Sequence, residues 1–216
     1  MGKTLIKIWN ENKSLLIFIS LMLVFRSAVA DWNDVPTGSM KPTIVEGDRI
    51  LINKLAYDIN MPFIQKSLIK LADPQVNDII IFESKAADKR LVKRVIGVPG
   101  DIVSMSNNEL TINSQKVPYN KVKFNDGKAI INESISHNTH SIQLTGTPSK
   151  LANFKAVKVP KDYYLVLGDN RNNSADSRVI GFVPRNEIIG RSSKVVLSLN
   201  YDNYFLPRTE RFLLDI

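Results

Sequence analysis

Cysteine is absent from this chain of 216 residues, and histidine occurs only twice. The missing cysteine excludes disulfides, a thiol nucleophile and zinc bound through thiolates, while it leaves the cellular compartment open. His137 and His140 both lie in the polar stretch 132–145, and no carboxylates surround them at the spacing of metal ligands. We therefore predict that both histidines are surface-loop residues and that neither belongs to a metal site.

Negative charge is the scarcer kind, because 21 acidic residues face 29 lysines and arginines and leave a net charge of +8. The basic residues are scattered along the chain, and no helix-turn-helix, zinc-finger or aromatic-basic RNA signature accompanies them. We predict no nucleic-acid partner. If a basic chain also has an apolar segment that anchors it in a membrane, an anionic membrane surface is its more natural partner.

Long apolar runs are rare as well, and the one strongly apolar stretch is Leu15–Phe25, LLIFISLMLVF. The sequence Ala28-Val29-Ala30 follows it, so a cleavable signal peptide with an Ala-x-Ala end is one interpretation. The uninterrupted run has 11 residues, whereas a membrane helix needs about 20. Trp9 and Trp32, however, bracket a segment of 22 residues, and interfacial tryptophans at both ends favour a spanning helix.

We favour the anchor interpretation, with a transmembrane signal anchor at 14–31. Lysines before the apolar run place residues 1–13 in the cytoplasm and everything beyond the anchor on the outer side of the membrane. A β core then follows at 32–104 and 156–216. It is interrupted by an inserted cap region, 105–155, that is richer in Asn, Ser, Thr and Lys.

Beyond the anchor, β-branched and apolar runs alternate with turn residues, which is typical of strands. The predicted strands are Arg49–Leu55, Asp78–Phe82, Leu91–Val98, Ile102–Met105, Glu109–Ile112, Ala156–Val159, Tyr163–Leu167 and Lys194–Leu199. One short helix is predicted at Ile64–Leu71. The predicted fold is mostly β: an antiparallel β-barrel or sandwich with an inserted cap region, preceded by one transmembrane helix.

Ser39 lies in Pro36–Thr43, PTGSMKPT, a few residues beyond the apolar stretch. Gly38 permits a tight backbone path that presents both a hydroxyl and an amide N–H to one substrate atom. A serine hydroxyl is a poor nucleophile until a base removes its proton, and no histidine is placed to do so. A lysine is the obvious alternative base.

Lys93 lies in the predicted strand Leu91–Val98, where alternation places it on one face with Leu91 and Val95. A lysine on an apolar face is desolvated, and this lowers the pKa of its amine from about 10.4. A neutral amine is able to act as a general base near neutral pH. The same pattern also fits an ordinary strand with two exposed basic residues.

A dense polar block, GDNRNNSADSR, occupies Gly168–Arg178 directly after an apolar strand. One interpretation is a long turn held by Asx hydrogen bonds and a local Asp176–Arg178 pair. The other is a rigid scaffold that holds a hydroxyl against the base. The density of polar residues over this whole segment favours the scaffold.

Four sequence blocks occur in order along the chain: TGSMKPTIVEGDRILINK, NDIIIF, KRVIGVPGD and GDNRNNSADSRVIGFVP. Together they resemble the bacterial type I signal peptidases, also called leader peptidases, of the serine–lysine class. The resemblance covers most of residues 35–60, 77–104 and 160–191. It implies a membrane-bound serine endopeptidase that removes N-terminal signal peptides from exported preproteins after Ala-x-Ala-like sites, without metal or cofactor.

The same resemblance implies roles for individual residues. Ser39 is implied as the acylating nucleophile and Lys93 as its general base, with an oxyanion hole formed by the Ser39 N–H and the Thr37 hydroxyl. Ser174 is implied to orient the lysine amine. Structural support for the site is implied at Asp176 and Arg178. Apolar walls around the substrate residues one and three before the cut are implied at Val35, Pro36, Met40, Ile44, Leu91 and Val92.

The resemblance further implies a monomer with one pass through the bacterial inner membrane and its catalytic domain on the periplasmic or extracellular side. Preprotein signal peptides and membrane lipid are the implied partners. A specialised serine–lysine peptidase for a pilus or conjugation precursor is an open alternative, since substrate choice lies in the details of the pockets. A non-catalytic, membrane-anchored β binding domain is the alternative from another class of protein.

Overall fold

The computed structural model describes residues 2–64, 66–125, 127–136, 138–146 and 149–216. The side chains of residues 2–11, 121 and 125 lie outside that description. Two residues of the sequence argument are affected, because His137 and the side chain of Trp9 fall outside the described part.

The N-terminal segment forms one helix, α1, Gly2–Ala28. Lys54 closes its C-terminal end, where Nζ donates to the carbonyl oxygens of Arg26 at 2.7 Å and Ser27 at 3.2 Å. A cation here satisfies carbonyls that have no partner inside the helix and complements the negative end of the helix dipole. The helix ends earlier than the predicted segment 14–31, because residues 30 and 31 already belong to strand β1 (Ala30–Asp34).

The apolar side chains of α1 between residues 15 and 25 are exposed in this structure. Within the described part of the chain, no helix combines enough length with enough apolar character to span a membrane.

The rest of the described chain is almost entirely β. Its strands are β1 (Ala30–Asp34), β2 (Asp48–Asn53), β3 (Asp58–Asn60), β4 (Ser67–Lys70), β5 (Ile79–Ser84), β6 (Lys89–Gly97), β7 (Ile102–Ser106), β8 (Glu109–Ile112), β9 (Gln115–Lys116), β10 (Tyr119–Asn125), β11 (Lys128–Ile135), β12 (Asn138–Thr145), β13 (Phe154–Lys158), β14 (Tyr163–Leu167), β15 (Val183–Pro184), β16 (Ile188–Ser192), β17 (Lys194–Asn200), β18 (Leu206–Pro207) and β19 (Leu214–Asp215). A short helix, α2, Ser177–Ile180, follows the polar block. Every predicted strand overlaps one of these strands.

These strands form antiparallel sheets, the largest with ten strands in the order β15-β14-β6-β5-β16-β2-β17-β18, with β1 paired to β2 and β19 to β17. The smaller sheets are β10-β11-β12, β13-β7-β8-β9 and the hairpin β3-β4. The prediction of a mostly antiparallel β fold is therefore confirmed. The barrel alternative is wrong for the described residues, because the large sheet ends in the short strands β15 and β18 and does not close.

The helix predicted at Ile64–Leu71 is wrong, because Ser67–Lys70 is strand β4. The backbone pairs with the preceding segment instead, and the Leu71 N–H donates to the Tyr57 carbonyl at 2.8 Å. Strand pairing within the tertiary structure decides the conformation of this segment.

The centre of the large sheet is buried on both faces. Ile79 and Ile81 of β5 belong to one apolar cluster, whereas Ile80 and Phe82 belong to another. Strand β6 pairs with β5 from Lys89 to Arg94, and its buried residues include neighbours that point to opposite faces. This arrangement buries a pair of neighbouring basic residues in the middle of the sheet.

Candidate active site

Ser39 lies in a single 3-10 turn, Gly38–Met40, on the connection between β1 and β2. Thr37 before it is extended, with φ −129° and ψ 150°. Asn170 of the polar block holds the turn in place. Its Nδ2 donates to the Gly38 carbonyl at 2.9 Å, and its backbone N–H donates to the Ser39 carbonyl at 3.0 Å. The distant polar block therefore sets the position of the Ser39 hydroxyl.

Lys93 reaches this turn from β6, 54 residues further along the chain, and its Nζ lies 2.7 Å from the Ser39 hydroxyl oxygen. The direct partner of Lys93 on β5 is Ile80. Ile80 packs in the same apolar cluster as Leu91 and Val95, so the predicted apolar face of β6 exists. The Lys93 residue is only 2% exposed.

Burial is the main influence on the Lys93 amine and lowers its pKa to about 8, because desolvation penalises the ammonium. The negative charges of Asp176 and Asp169 act in the opposite direction and limit the decrease. The amine also donates to the Val92 carbonyl at 2.9 Å, which fixes its direction. With such a pKa, about a tenth of the amine is neutral at pH 7.

Asp176 and Arg178 lie together within the polar block. Arg178 Nε donates to Asp176 Oδ1 at 2.7 Å, and Nη2 donates to Oδ2 at 2.6 Å. The same guanidinium donates to the carbonyls of Leu151 and Arg171 at 2.8 and 2.7 Å. Asp176 also accepts the Gly168 N–H at 3.0 Å. The pair therefore connects both ends of the block and ties them to the segment before β13.

Ser174 is buried near the site, but its hydroxyl makes no hydrogen bond to any described residue. It packs against Gly168 so closely that a Cβ at Gly168 would lie 2.2 Å from Ser174 Oγ and 2.5 Å from the Ser39 carbonyl oxygen. Glycine is thus required at this position by close packing. The hydrogen bond expected from Ser174 to the lysine amine is not formed in this structure.

The predicted substrate walls divide between two faces of the fold. Val35, Met40 and Ile44 are buried in one apolar cluster, against which Val92 packs while partly buried. Leu91 packs instead against the cluster on the other face of β6, because neighbouring strand residues point in opposite directions. Pro36 and Thr37, directly before the Ser39 turn, are exposed.

Sequence reasoning missed a buried ion pair beside the site, between Arg94 and Asp169. Arg94 Nε and Nη2 donate to Asp169 Oδ1 and Oδ2 at 2.9 and 2.7 Å. Thr43 Oγ1 donates to Asp169 Oδ2 at 2.6 Å. These contacts hold the pKa of the Asp169 carboxyl below its usual value despite its burial. The signal in the sequence was the position of Arg94, which shares its face of the predicted strand with the apolar Val92.

A second buried pair fastens the polar block to the sheet β10-β11-β12. Arg171 donates from both terminal nitrogens to the two oxygens of Glu133, and Tyr119 donates its hydroxyl to Glu133 Oε1 at 2.6 Å. His140 Nε2 lies 3.1 Å from Glu133 Oε2, and the His140 side chain is 8% exposed. The prediction that His140 is a surface-loop residue is therefore wrong, because β12 packs it against this carboxylate.

A serine hydroxyl in contact with a buried amine, on an antiparallel β scaffold, defines the class of serine–lysine hydrolases. A family model described as signal peptidase, peptidase S26, matches residues 8–197 of the chain. The chain belongs to this family.

Relatives by sequence agree with that assignment. A signal peptidase I of Pseudomonas fluorescens is 33% identical over 208 residues, covering 87% of this chain and 72% of that protein. A signal peptidase I of Bacillus amyloliquefaciens is 33% identical over 190 residues, covering 87% and 84% of the two chains. A crystal structure of a signal peptidase I from Enterococcus faecalis V583 is 28% identical with a TM-score of 0.37, covering 56% of this chain and 98% of that one.

Proposed function

We propose that this serine endopeptidase removes N-terminal signal peptides from preproteins, with Ser39 as the nucleophile and Lys93 as the general base. One observation carries the assignment of residues: the 2.7 Å contact between Lys93 Nζ and Ser39 Oγ, made by a buried amine whose pKa is lowered to about 8. Membership of the signal peptidase family supplies the class of substrate. The residues supply the chemistry.

In the acylation step, neutral Lys93 takes the hydroxyl proton of Ser39 while Oγ attacks the scissile carbonyl carbon. The C–N bond then breaks as the ammonium returns that proton to the leaving amine, so that the signal peptide remains as an ester on Ser39. In the second step Lys93 takes a proton from water, and the resulting hydroxide attacks the ester. Ser39 Oγ leaves with the proton, which restores the enzyme and frees the signal peptide acid.

The negative oxygen formed in both steps requires donors that are already in place. The Ser39 N–H and the Thr37 hydroxyl are the proposed donors, and the exposed position of Thr37 leaves its hydroxyl open to substrate. Ser174 is the proposed partner of the Lys93 amine during the reaction. Its hydroxyl is buried without a partner among the described residues, which is costly, and a bond to the amine removes that cost.

The preference proposed for the substrate is a small residue one and three positions before the cut. Val35, Met40 and Ile44 fill an apolar cluster next to the Ser39 turn and leave little room for large side chains. Pro36, Leu91 and Val92 complete the proposed walls. The proposed walls account for a preference for Ala-x-Ala sites. The proposed reaction uses no metal or cofactor.

The proposed location is the bacterial inner membrane, with α1 as a single-pass anchor and the β domain on the periplasmic or extracellular side. The apolar side chains exposed along α1 and the lysines that precede them support this. The division into a β catalytic core at 32–104 and 156–216 and a cap region at 105–155 stays a prediction, as does the monomer. The partners are preprotein signal peptides and membrane lipid.

The test of function is cleavage of a preprotein with an Ala-x-Ala signal sequence in detergent micelles. We expect a single cut after the second alanine, seen as one new N-terminus by mass spectrometry. The matched control carries phenylalanine in place of the alanine directly before the cut, and we expect its cleavage to fall by at least about 100-fold, since a full pocket rejects the larger ring. Equal cleavage of both preproteins would argue against the proposed pocket.

The pH dependence follows from the pKa of Lys93, because only the neutral amine accepts the Ser39 proton. We expect kcat/KM on a soluble peptide to rise about tenfold per pH unit between pH 6 and 7 and to reach half its maximum near pH 8. Initial rates between pH 6 and 9.5, at substrate concentrations below KM, measure this. A profile that is flat across that range would contradict Lys93 as the base.

A further inference from the structure

An ion pair lies directly beside the turn that carries Ser39. Lys41 Nζ is 2.6 Å from Glu46 Oε2, and the two side chains are 34% and 36% exposed. A Cβ at Gly38 would lie 2.5 Å from Glu46 Oε1 and 3.1 Å from Cδ and Cε of Lys41. The pair therefore packs against the residue that precedes the nucleophile. Neither side chain takes part in the proposed proton transfer between Ser39 and Lys93.

The carboxylate of Glu46 is close to the place where negative charge develops during the reaction. The proposed oxyanion donor is the Ser39 N–H, which belongs to the peptide that links Gly38 to Ser39. From the contact at Gly38 and standard bond lengths, Glu46 Oε1 lies within about 7 Å of the Ser39 nitrogen. A carboxylate at this distance opposes the formation of a second negative charge on the substrate oxygen.

Glu46 is ionised at every pH at which Lys93 titrates. Partial burial acts to raise the pKa of the Glu46 carboxyl, but hydrogen bonds from the Lys41 ammonium and from the Glu46 N–H outweigh it and lower that pKa. Arg208 has a smaller influence in the same direction, and its Nη1 donates to the Glu46 carbonyl at 2.9 Å. The ammonium of Lys41 is thus the cation that directly contacts the carboxylate.

We propose that Lys41 neutralises the charge of Glu46 towards the oxyanion, so that the rate depends on a second lysine that moves no proton. This inference rests on the proposed function, because it takes the Ser39 N–H as an oxyanion donor. The charges with the largest influence on the Lys93 amine lie on other residues. Lys41 therefore acts on the charge of the reacting state and not on the base.

The direction of the effect separates this role from a purely structural one. If the pair only held the loop between residues 41 and 46, replacing either partner would lower activity alike. If Lys41 neutralises Glu46, Lys41→Met leaves an uncompensated carboxylate and lowers kcat. Glu46→Gln instead leaves a cation that favours the oxyanion. The substrate carbonyl is uncharged before the attack, so KM should change little in either variant.

The test measures kcat and KM of the full-length protein in detergent micelles at low ionic strength, on a soluble peptide with an Ala-x-Ala site. We expect kcat to fall about fivefold to tenfold in Lys41→Met and to stay at or above the wild-type value in Glu46→Gln. The double variant should recover to within about twofold of wild type. Lys41→Arg keeps the cation and should keep kcat.

Salt and a matched ion pair serve as controls. The decrease in Lys41→Met should become smaller at about 1 M salt, because both side chains of the pair are partly exposed and their charges are screened. Lys70 and Asp73 form an ion pair of the same 2.6 Å length at the end of β4. Lys70→Met removes that pair and should change kcat by less than about twofold.

Equal decreases of kcat in Lys41→Met and Glu46→Gln would overturn the inference and assign the pair a structural role. A higher KM at unchanged kcat in Lys41→Met would overturn it as well, because it would assign the pair to substrate binding. A decrease of kcat in Glu46→Gln is decisive by itself, even if Lys41→Met does not fold. These outcomes leave the proposed function intact, whereas a folded wild type that does not cleave the peptide would refute it.

Discussion

Replacing Ser39 with alanine should lower kcat for preprotein cleavage by at least about 10⁴-fold, and replacing Lys93 with methionine should have an equally large effect. The hydroxyl and the amine act as a unit, since their atoms lie 2.7 Å apart and neither reaction step proceeds without the proton transfer between them. KM should change little, because neither side chain forms the proposed apolar walls. Steady-state initial rates in detergent micelles, taken over a range of preprotein concentrations, measure both constants.

The double variant is the control for this prediction, because removing both members of a unit should cost about as much as removing either one. A fall in kcat in the double variant equal to the product of the two single falls would contradict a shared proton transfer. Activity that survives in Lys93→Met would contradict the assignment of the base. Thr43→Val, which alters a hydroxyl next to the site but outside the proton transfer, should reduce kcat far less.

Loss of activity in Lys93→Met should come with a gain in stability. The folded protein lowers the pKa of this amine from about 10.5 to about 8, so the charged form is penalised in the folded state by about 3 kcal/mol. Below pH 8 the amine is protonated in both states and the penalty is complete. Between pH 8 and 10.5 only the unfolded chain keeps the proton, so the wild type gains stability as the pH rises. The advantage of the methionine variant is therefore largest at pH 7 and disappears above pH 10.5.

Replacing Arg171 with methionine should lower the free energy of unfolding by about 3–5 kcal/mol. Glu133 is fully buried, and the Arg171 guanidinium holds the pKa of its carboxyl well below the usual range. Without the arginine, the buried carboxylate keeps the Tyr119 hydroxyl and the His140 ring as polar neighbours among the described residues. Urea unfolding of the full-length protein in micelles, followed by tryptophan fluorescence, measures the change.

Arg191→Met is the matched control for the buried pair. Arg191 Nη1 donates to Asp78 at 3.2 Å, but its side chain is 45% exposed, and we expect a change of no more than about 1 kcal/mol. Comparable decreases in the free energy of unfolding of the two variants would contradict the idea that burial makes the Arg171–Glu133 pair more costly to break. Because Arg171 is part of the block that holds the Ser39 turn, its replacement should also lower activity, which Arg191→Met should not do.

Local patterns in the sequence were sufficient for much of the fold. Strands such as Tyr163–Leu167 and Glu109–Ile112 were predicted with their exact bounds, because turn residues enclose short apolar runs. Strand β16, Ile188–Ser192, was missed although it lies in the middle of the large sheet. Its Gly190 weakens the strand pattern, and the glycine is there because a Cβ would lie 2.5 Å from the Asn53 carbonyl oxygen.

The sequence by itself determined the chemistry: a serine on a glycine turn, a lysine on an apolar strand face and a dense polar block, all of which are short-range patterns. Only the tertiary structure decided how they meet. Lys93 reaches Ser39 because β5 and β14 flank β6, and the buried pairs Arg94–Asp169 and Arg171–Glu133 hold the polar block over the turn. Such contacts depend on which faces of distant segments pack together. Side-chain alternation within one strand shows which face is apolar, but it does not show which segment packs against that face.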